Sequence, residues 1–265
     1  VDDAFLAACP DLLVIACALK GYDNFDIEAC TRRGVWLTIV PDLLTAPTAE
    51  LTVGLMIALG RNILEGDRLV RGGNFRGWRP ILYGRGIDGS TVGLLGAGAV
   101  GKAVARRLCG FRTTLLYTDN TPLSAGQEDE LRLRRVALGE LLTQSDFVVL
   151  CLPLLHDTRH LVDRDFLARM KPGALLINTA RGSLVDEAAV ADASEGHVGD
   201  AVAGRPDHLD PHLPAGRGAA NRVGHVVRLP EGERAPPGAD ADGAHRPSSL
   251  RIRPTCSGSV PFRAA

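Results

Sequence analysis

The sequence predicts an α/β protein: a Rossmann-type, doubly wound parallel sheet in the middle of the chain, beside a smaller α/β piece at its start. Three observations predict it. Between residues 91 and 178, short apolar runs alternate with helix-spaced segments, the order of strand–helix–strand units on a parallel sheet. The first of those runs leads into a glycine-rich turn, Gly96-Ala97-Gly98-Ala99-Val100-Gly101, that opens a helix. Two further apolar runs, 12–19 and 35–40, flank a turn and a helix-spaced segment.

In order, helical spacing over 3–9 is followed by a strand over 12–19. Gly21, Tyr22 and Asn24 are turn chemistry, 26–32 is helical, and a strand over 35–40 is closed by Pro41. A long amphipathic helix is expected over 47–70, where Leu51, Leu55, Met56, Leu59, Ile63 and Leu69 recur at helical intervals. The Gly/Arg/Trp/Pro loop over 72–89 is too long and too aromatic for a simple connector. Strands over 91–95, 114–117, 147–152 and 174–178 then alternate with helices over 100–108, 138–143 and 164–170, and another helix starts at Asp186. The stretch between Thr118 and Ala137 reads only as polar.

Lys and Arg number 30 against 31 Asp and Glu, a net charge of −1, so no basic excess is available to grip nucleic acid or a membrane surface. No apolar run reaches 18 residues, and the chain starts at Val1 without a basic-then-apolar leader, as if cut within an element. The six cysteines form no CxxC pair and have no histidine at ligand spacing. They read as structural thiols of a cytoplasmic protein without a metal.

Residues 191–265 differ in kind. Of these 75 residues, 19 are Gly or Pro and only 12 are Leu, Ile, Val or Phe, too little apolar surface to offset chain entropy. Lysine is absent, while Arg, Pro, Gly and Ala abound without period. That is the texture of a gene read out of frame beyond about Ala191; the other reading is a genuine disordered tail.

The glycine turn carries the most chemistry. Gly96 makes the tight turn, Gly98 lets the backbone approach a pyrophosphate, and Gly101 lets helix and strand pack closely. The free N–H groups and dipole of the helix start then attract phosphate. Asp119 ends the next strand, 18 residues after Gly101, where a carboxylate accepts from an adenosine ribose and repels a 2′-phosphate. The expected cofactor is therefore NAD, with Asp119 as a plain solvated acid the alternative. Cys151-Leu152-Pro153 ends a third strand. Asn178-Thr179-Ala180-Arg181-Gly182 ends a fourth, ahead of Val185-Asp186-Glu187. Ligands of open α/β sheets bind beyond such strand ends, so Arg181 stands where an anionic substrate needs a fixed cation. The alternative for Arg181 is an ion pair with Asp186 or Glu187.

The combination of GxGxxG, Asp119, the strand ending in Leu152-Pro153 and Asn178-x-x-Arg181-Gly182-x-x-Val185-Asp186-Glu187 resembles the D-isomer-specific 2-hydroxyacid dehydrogenase family. Residues 17–26, with Lys20-Gly21-Tyr22-Asp23, and 77–84, Gly77-Trp78-Arg79-Pro80-Ile81-Leu82-Tyr83-Gly84, resemble the family's phosphonate (phosphite) dehydrogenase branch. The segment 40–51 also matches, and the resemblance runs over about 1–190 and stops there.

The resemblance implies a partial, flavodoxin-like substrate domain over 1–45 and an NAD-binding domain over 46–190, whose long helix serves a homodimer. Lys20, the Gly21 backbone and Arg181 would hold a small anion, phosphite or else a 2-hydroxy acid. Trp78 and Tyr83 would wall the site or, alternatively, serve as interface aromatics. Thr48, Ala99, Val100, Asp119, Cys151, Leu152, Pro153, Thr179, Ala180 and Arg181 would line the NAD site beside Gly96, Gly98 and Gly101. The implied reaction is hydride transfer from phosphite to NAD. The rivals are a general D-2-hydroxyacid dehydrogenase and a non-catalytic NAD-binding protein. The family's Glu–His pair falls where the pattern is lost. His212, in Pro211-His212-Leu213-Pro214-Ala215-Gly216, only faintly echoes it, and it is not expected to be the base.

Overall fold

The computed structural model describes residues 1–194 and the strand 225–228. Residues 1–45 form α1 (Asp3–Ala8), β1 (Val14–Ala16), α2 (Ile27–Arg32) and β2 (Trp36–Thr38). Asp2 and Asp26 start the helices by accepting the N–H groups of Phe5 and Ala29, as short acidic side chains do at an N-cap. β1 and β2 pair in parallel, with Val14 beside Trp36. Each has one neighbour in a two-stranded sheet, so both end sooner than their apolar runs suggest. Leu6, Ala29, Cys30 and Val35 form a small core against which Ile15 packs, whereas Leu13, Val14 and Trp36 stand exposed.

Two helices, α3 (Thr45–Gly60) and α4 (Ile63–Arg71), replace the single helix expected over 47–70. The chain breaks at Asn62, which takes a left-handed φ of 53°. The cause is the returning 72–89 loop: the Arg85 N–H donates to the Gly60 carbonyl at 2.7 Å. A β-carbon on Gly60 or Gly84 would overlap the backbone of the other strand of this contact.

The large sheet follows, through β3 (Thr91–Leu95), α5 (Ala99–Leu108), β4 (Thr114–Thr118), α6 (Ala125–Leu131) and β5 (Leu133–Arg135). It continues through α7 (Leu138–Gln144), β6 (Phe147–Leu150), α8 (Arg164–Arg169) and β7 (Leu175–Asn178). A 3-10 turn (Gly182–Leu184), α9 (Glu187–Ser194) and β8 (His225–Arg228) complete the described chain. The strand order is β5-β4-β3-β6-β7-β8, parallel up to β7. The chain leaves β3 in one direction through β4 and returns on its other side at β6, so the crevice lies beyond the carboxyl ends of β3 and β6.

The inner strands β3, β4, β6 and β7 bury both faces. Phe147 and Val149 join Met56, Val104 and Leu108 on the α3/α5 side, while Val148 and Leu150 join Leu141, Phe166 and Val190 on the α7/α8/α9 side. This explains the unbroken apolar runs of the sequence. The polar stretch holds two elements that its pattern hides. α6 starts in a capping box between Ser124 and Gln127, and β5 buries only Leu133 of its three residues.

β8 pairs antiparallel with β7, Leu176 opposite Val227. Four residues of 191–265 thus form a strand, contrary to the expectation that no strand period survives there. The open edge of β7 is a template for pairing, and the Val226-Val227 step favours it. The rest of the expectation for that stretch, His212 included, lies outside the described residues. Among the described residues no helix is long and apolar enough to cross a membrane.

At the opposite end of the sheet from the crevice, Asp146 accepts from Arg85, from Lys171 at 2.6 Å and from the Thr91 N–H at 2.9 Å. Burial alone would raise its carboxyl pKa. The bonds from Lys171 and Thr91 and the two cationic charges outweigh burial and hold it below the usual carboxylate value. The stabilisation is therefore complete above the unfolded pKa of about 3.9 and is lost as pH falls through the lower folded value. Asp146→Asn is expected to lower stability at neutral pH by about 1–2 kcal/mol, discounted because Arg85 and Lys171 are partly exposed, and to flatten the acid limb of a denaturation curve below about pH 4.

Candidate functional site

At the crevice, Gly96 turns the chain with a φ of 98°, and a β-carbon there would lie 2.7 Å from the Cys151 carbonyl oxygen. Gly101, in the first turn of α5, faces the Gly96 carbonyl so closely that a β-carbon would overlap it. Gly98 is the opposite case, with open space within 4 Å of the position a β-carbon would take. It is the N-cap of α5 and offers no side-chain cap, so the leading N–H groups, at Ala99 and Val100, are left for a ligand. Two glycines close the turn and one opens it, which is the arrangement a pyrophosphate requires.

Asp119 stands one residue beyond β4. Its Oδ2 accepts the Ala97 N–H at 2.8 Å and its Oδ1 the Thr121 N–H at 2.9 Å. The carboxylate is thereby fixed beside the glycine turn, with lone pairs left for ribose hydroxyls. Cys151 forms the facing wall after β6. Burial pushes its thiol up to about 12, so it presents a neutral S–H. Leu152 is half-buried beside it and Pro153 exposed. Cys9, Cys17, Cys30 and Cys109 are free thiols as well, and Cys109 is exposed rather than buried. Among the described residues no three His, Cys, Asp or Glu side chains gather into a metal site.

After β7 the buried Thr179 hydroxyl lies 2.7 Å from that of Thr52, and Thr52 donates to the Thr48 carbonyl at 2.8 Å. This pins the first half of α3, with Thr48 half-buried, to the end of β7. Asn178 braces the next turn: its Nδ2 donates to the Arg181 carbonyl at 2.8 Å, and its Oδ1 accepts the Ala180 N–H at 2.9 Å. Arg181 leaves this brace toward the 1–45 segment. Its Nε donates to Asp23 Oδ1 at 2.8 Å and its Nη1 to the Ala180 carbonyl at 3.0 Å. Its Nη2 lies against Gly21, where any β-carbon would overlap it.

The structure thus brings Arg181 and Gly21 together from residues 160 apart in the chain. The partner of Arg181 is Asp23, not Asp186 or Glu187; Asp186 instead accepts the Ala188 and Ala189 N–H groups at the start of α9. Lys20 is exposed next to Gly21. Trp78 and Tyr83 are 84% and 75% exposed, so within the described residues they wall nothing. Asp23, Thr52 and the bracing role of Asn178 escape a reading of the sequence. Asp23 lies in a turn of ordinary composition, and Thr52 sits among apolar helix positions with no pattern of its own.

Comparison with known proteins agrees with this geometry. The family model of the D-isomer-specific 2-hydroxyacid dehydrogenase NAD-binding domain matches residues 53–205. A glyoxylate reductase of Thermococcus onnurineus is 40% identical over 207 residues, covering 76% of this chain and 62% of that protein. The chain therefore spans less than two thirds of such a relative. The crystal structure of the TT0316 protein from Thermus thermophilus superposes with a TM-score of 0.70 at 37% identity, over 81% of this chain and 68% of that one. The D-lactate dehydrogenase of Aquifex aeolicus, complexed with NAD and lactic acid, superposes with a TM-score of 0.68 at 28% identity, over 74% and 58%. An uncapped helix behind a glycine turn and an acid fixed at the next strand end lie within the matched NAD-binding domain, and the chain belongs to the D-isomer-specific 2-hydroxyacid dehydrogenase family.

Proposed function

We propose that the chain serves a dehydrogenase interconverting a small 2-hydroxy acid and its 2-oxo acid, with substrates of glyoxylate size. The observation that carries this reading is the convergence of the Arg181 guanidinium on the Gly21 backbone beside the NAD crevice. Two of its five N–H groups are committed within the described residues, leaving donors for a carboxylate. The resemblance to a glyoxylate reductase supports a short 2-oxo acid. NAD would be held by Gly96, Gly98 and the leading N–H groups of α5, by Asp119 and by the Cys151 and Thr179 walls; its nicotinamide supplies the hydride acceptor. Arg181 fixes the anion, and the Gly21 turn limits its size.

Phosphite oxidation is the second reading, favoured by Lys20 beside Gly21, which would give a dianion a second cation. In both readings the chain works as a homodimer, supported by the exposed Leu51, Ile63, Val70, Phe75 and Trp78 along α3, α4 and the loop after them. Following NADH absorbance separates the two. Consumption of NADH with glyoxylate, and no formation of NADH from NAD and phosphite, is the expected outcome. Phosphite-dependent NADH formation with no glyoxylate turnover would reverse the assignment.

A further inference from the structure

Beside Asp119 the structure places a cation that the NAD reading does not use. Arg135 is the last residue of β5, paired in register with Tyr117 of β4. Its Nη2 donates to the main-chain carbonyl of Asp119 at 2.9 Å, which holds the guanidinium at the mouth of the adenosine-ribose site. Among the described residues no carboxylate lies within ion-pair distance of it. Its neighbour Arg134, by contrast, is neutralised by Glu140 at 2.9 Å and bonded to Gln144. The Asp119 carboxylate is engaged elsewhere, by the N–H groups of Ala97 and Thr121. An unneutralised guanidinium thus touches the main chain of a residue whose carboxylate charge backbone dipoles already partly offset.

We infer that Arg135 sets the cofactor specificity of this site by offering a counter-charge to a 2′-phosphate, so that the chain accepts NADP as well as NAD, with Asp119 opposing it. A guanidinium is permanently charged and shaped for two-point contact with phosphate oxygens. A carboxylate in the same ribose site favours the 2′-hydroxyl. The two residues act in opposite directions on one atom group, the substituent at C2′. The inference rests on the dinucleotide site assigned above.

The test is binding, read by quenching of protein fluorescence with NADH and NADPH on the full chain. Arg135→Gln should weaken NADPH about fivefold and leave NADH within about twofold, the scale of one exposed charge-assisted contact. Asp119→Ala should strengthen NADPH relative to NADH. Adding Arg135→Gln to Asp119→Ala should remove most of that gain, and added salt should erode the NADPH difference more than the NADH affinity. Unchanged NADPH affinity on Arg135→Gln in both backgrounds, with NADH still bound, overturns the role of Arg135 alone. Failure of the unaltered chain to bind either dinucleotide overturns the site assignment and this inference with it.

Discussion

Arg181→Ala is expected to lower kcat/KM for the anionic substrate by about three orders of magnitude, with a far smaller effect on NADH affinity. The guanidinium is the one cation that the described structure fixes from three sides, by Asp23, the Ala180 carbonyl and the Gly21 backbone. A charge-assisted, two-point contact to an oxyanion contributes most when its donor is already oriented, because no ordering cost remains at binding. Arg181→Lys should recover little, since an ammonium on a flexible stem reproduces the charge and not the fork. Asp23→Ala should raise KM more than it lowers kcat, because it loosens the guanidinium without removing it. Steady-state kinetics of the three variants check the ordering, and wild-type kinetics in Arg181→Ala would remove the residue from the site.

The second large effect is structural. Gly101→Val is expected to abolish dinucleotide binding and to destabilise the protein by about 3 kcal/mol or more. The added side chain would run into the Gly96 carbonyl, in the turn proposed to receive the pyrophosphate. Relief requires α5 to move off β3, which opens the buried contacts of Ala103, Val104 and Leu108. Gly98→Ala should fold normally, because its β-carbon meets nothing within 4 Å, and should weaken NADH by intruding where the pyrophosphate lies. Thermal denaturation with and without NADH distinguishes the two variants. Equal stability losses would show that the two glycines do not play opposite parts.

The large sheet was legible because its strands are buried on both faces, so Phe147 to Leu150 or Leu175 to Ile177 announce themselves as apolar runs between helix-spaced segments. The glycine turn was legible for a different reason: backbone crowding leaves no alternative to glycine at Gly96 and Gly101. What stayed hidden was decided by contacts between distant residues. The break at Asn62 comes from Arg85 pressing on Gly60, and nothing within 47–70 reports it. β5, with its exposed Arg134 and Arg135, has no alternation to read. Asp186, close in sequence, is the evident partner for Arg181 until the fold spends it on a helix start and sets the distant Asp23 beside the guanidinium. Trp78 and Tyr83 carry a family resemblance in sequence, while their exposure leaves their role to surfaces beyond the described residues.

The Thr52–Thr179 pair has a consequence in proton bookkeeping. A threonine hydroxyl carries one hydrogen, and Thr52 spends its own on the Thr48 carbonyl, one turn back along α3. The 2.7 Å bond between the two hydroxyls must then run from Thr179 to Thr52. Thr179 therefore has no hydrogen left to give. Toward anything that lies against the end of β7 it presents lone pairs only, so that wall attracts an amide N–H and is indifferent or hostile to a carbonyl oxygen. A residue of α3, 127 positions earlier in the chain, thus sets the polarity that the end of β7 presents.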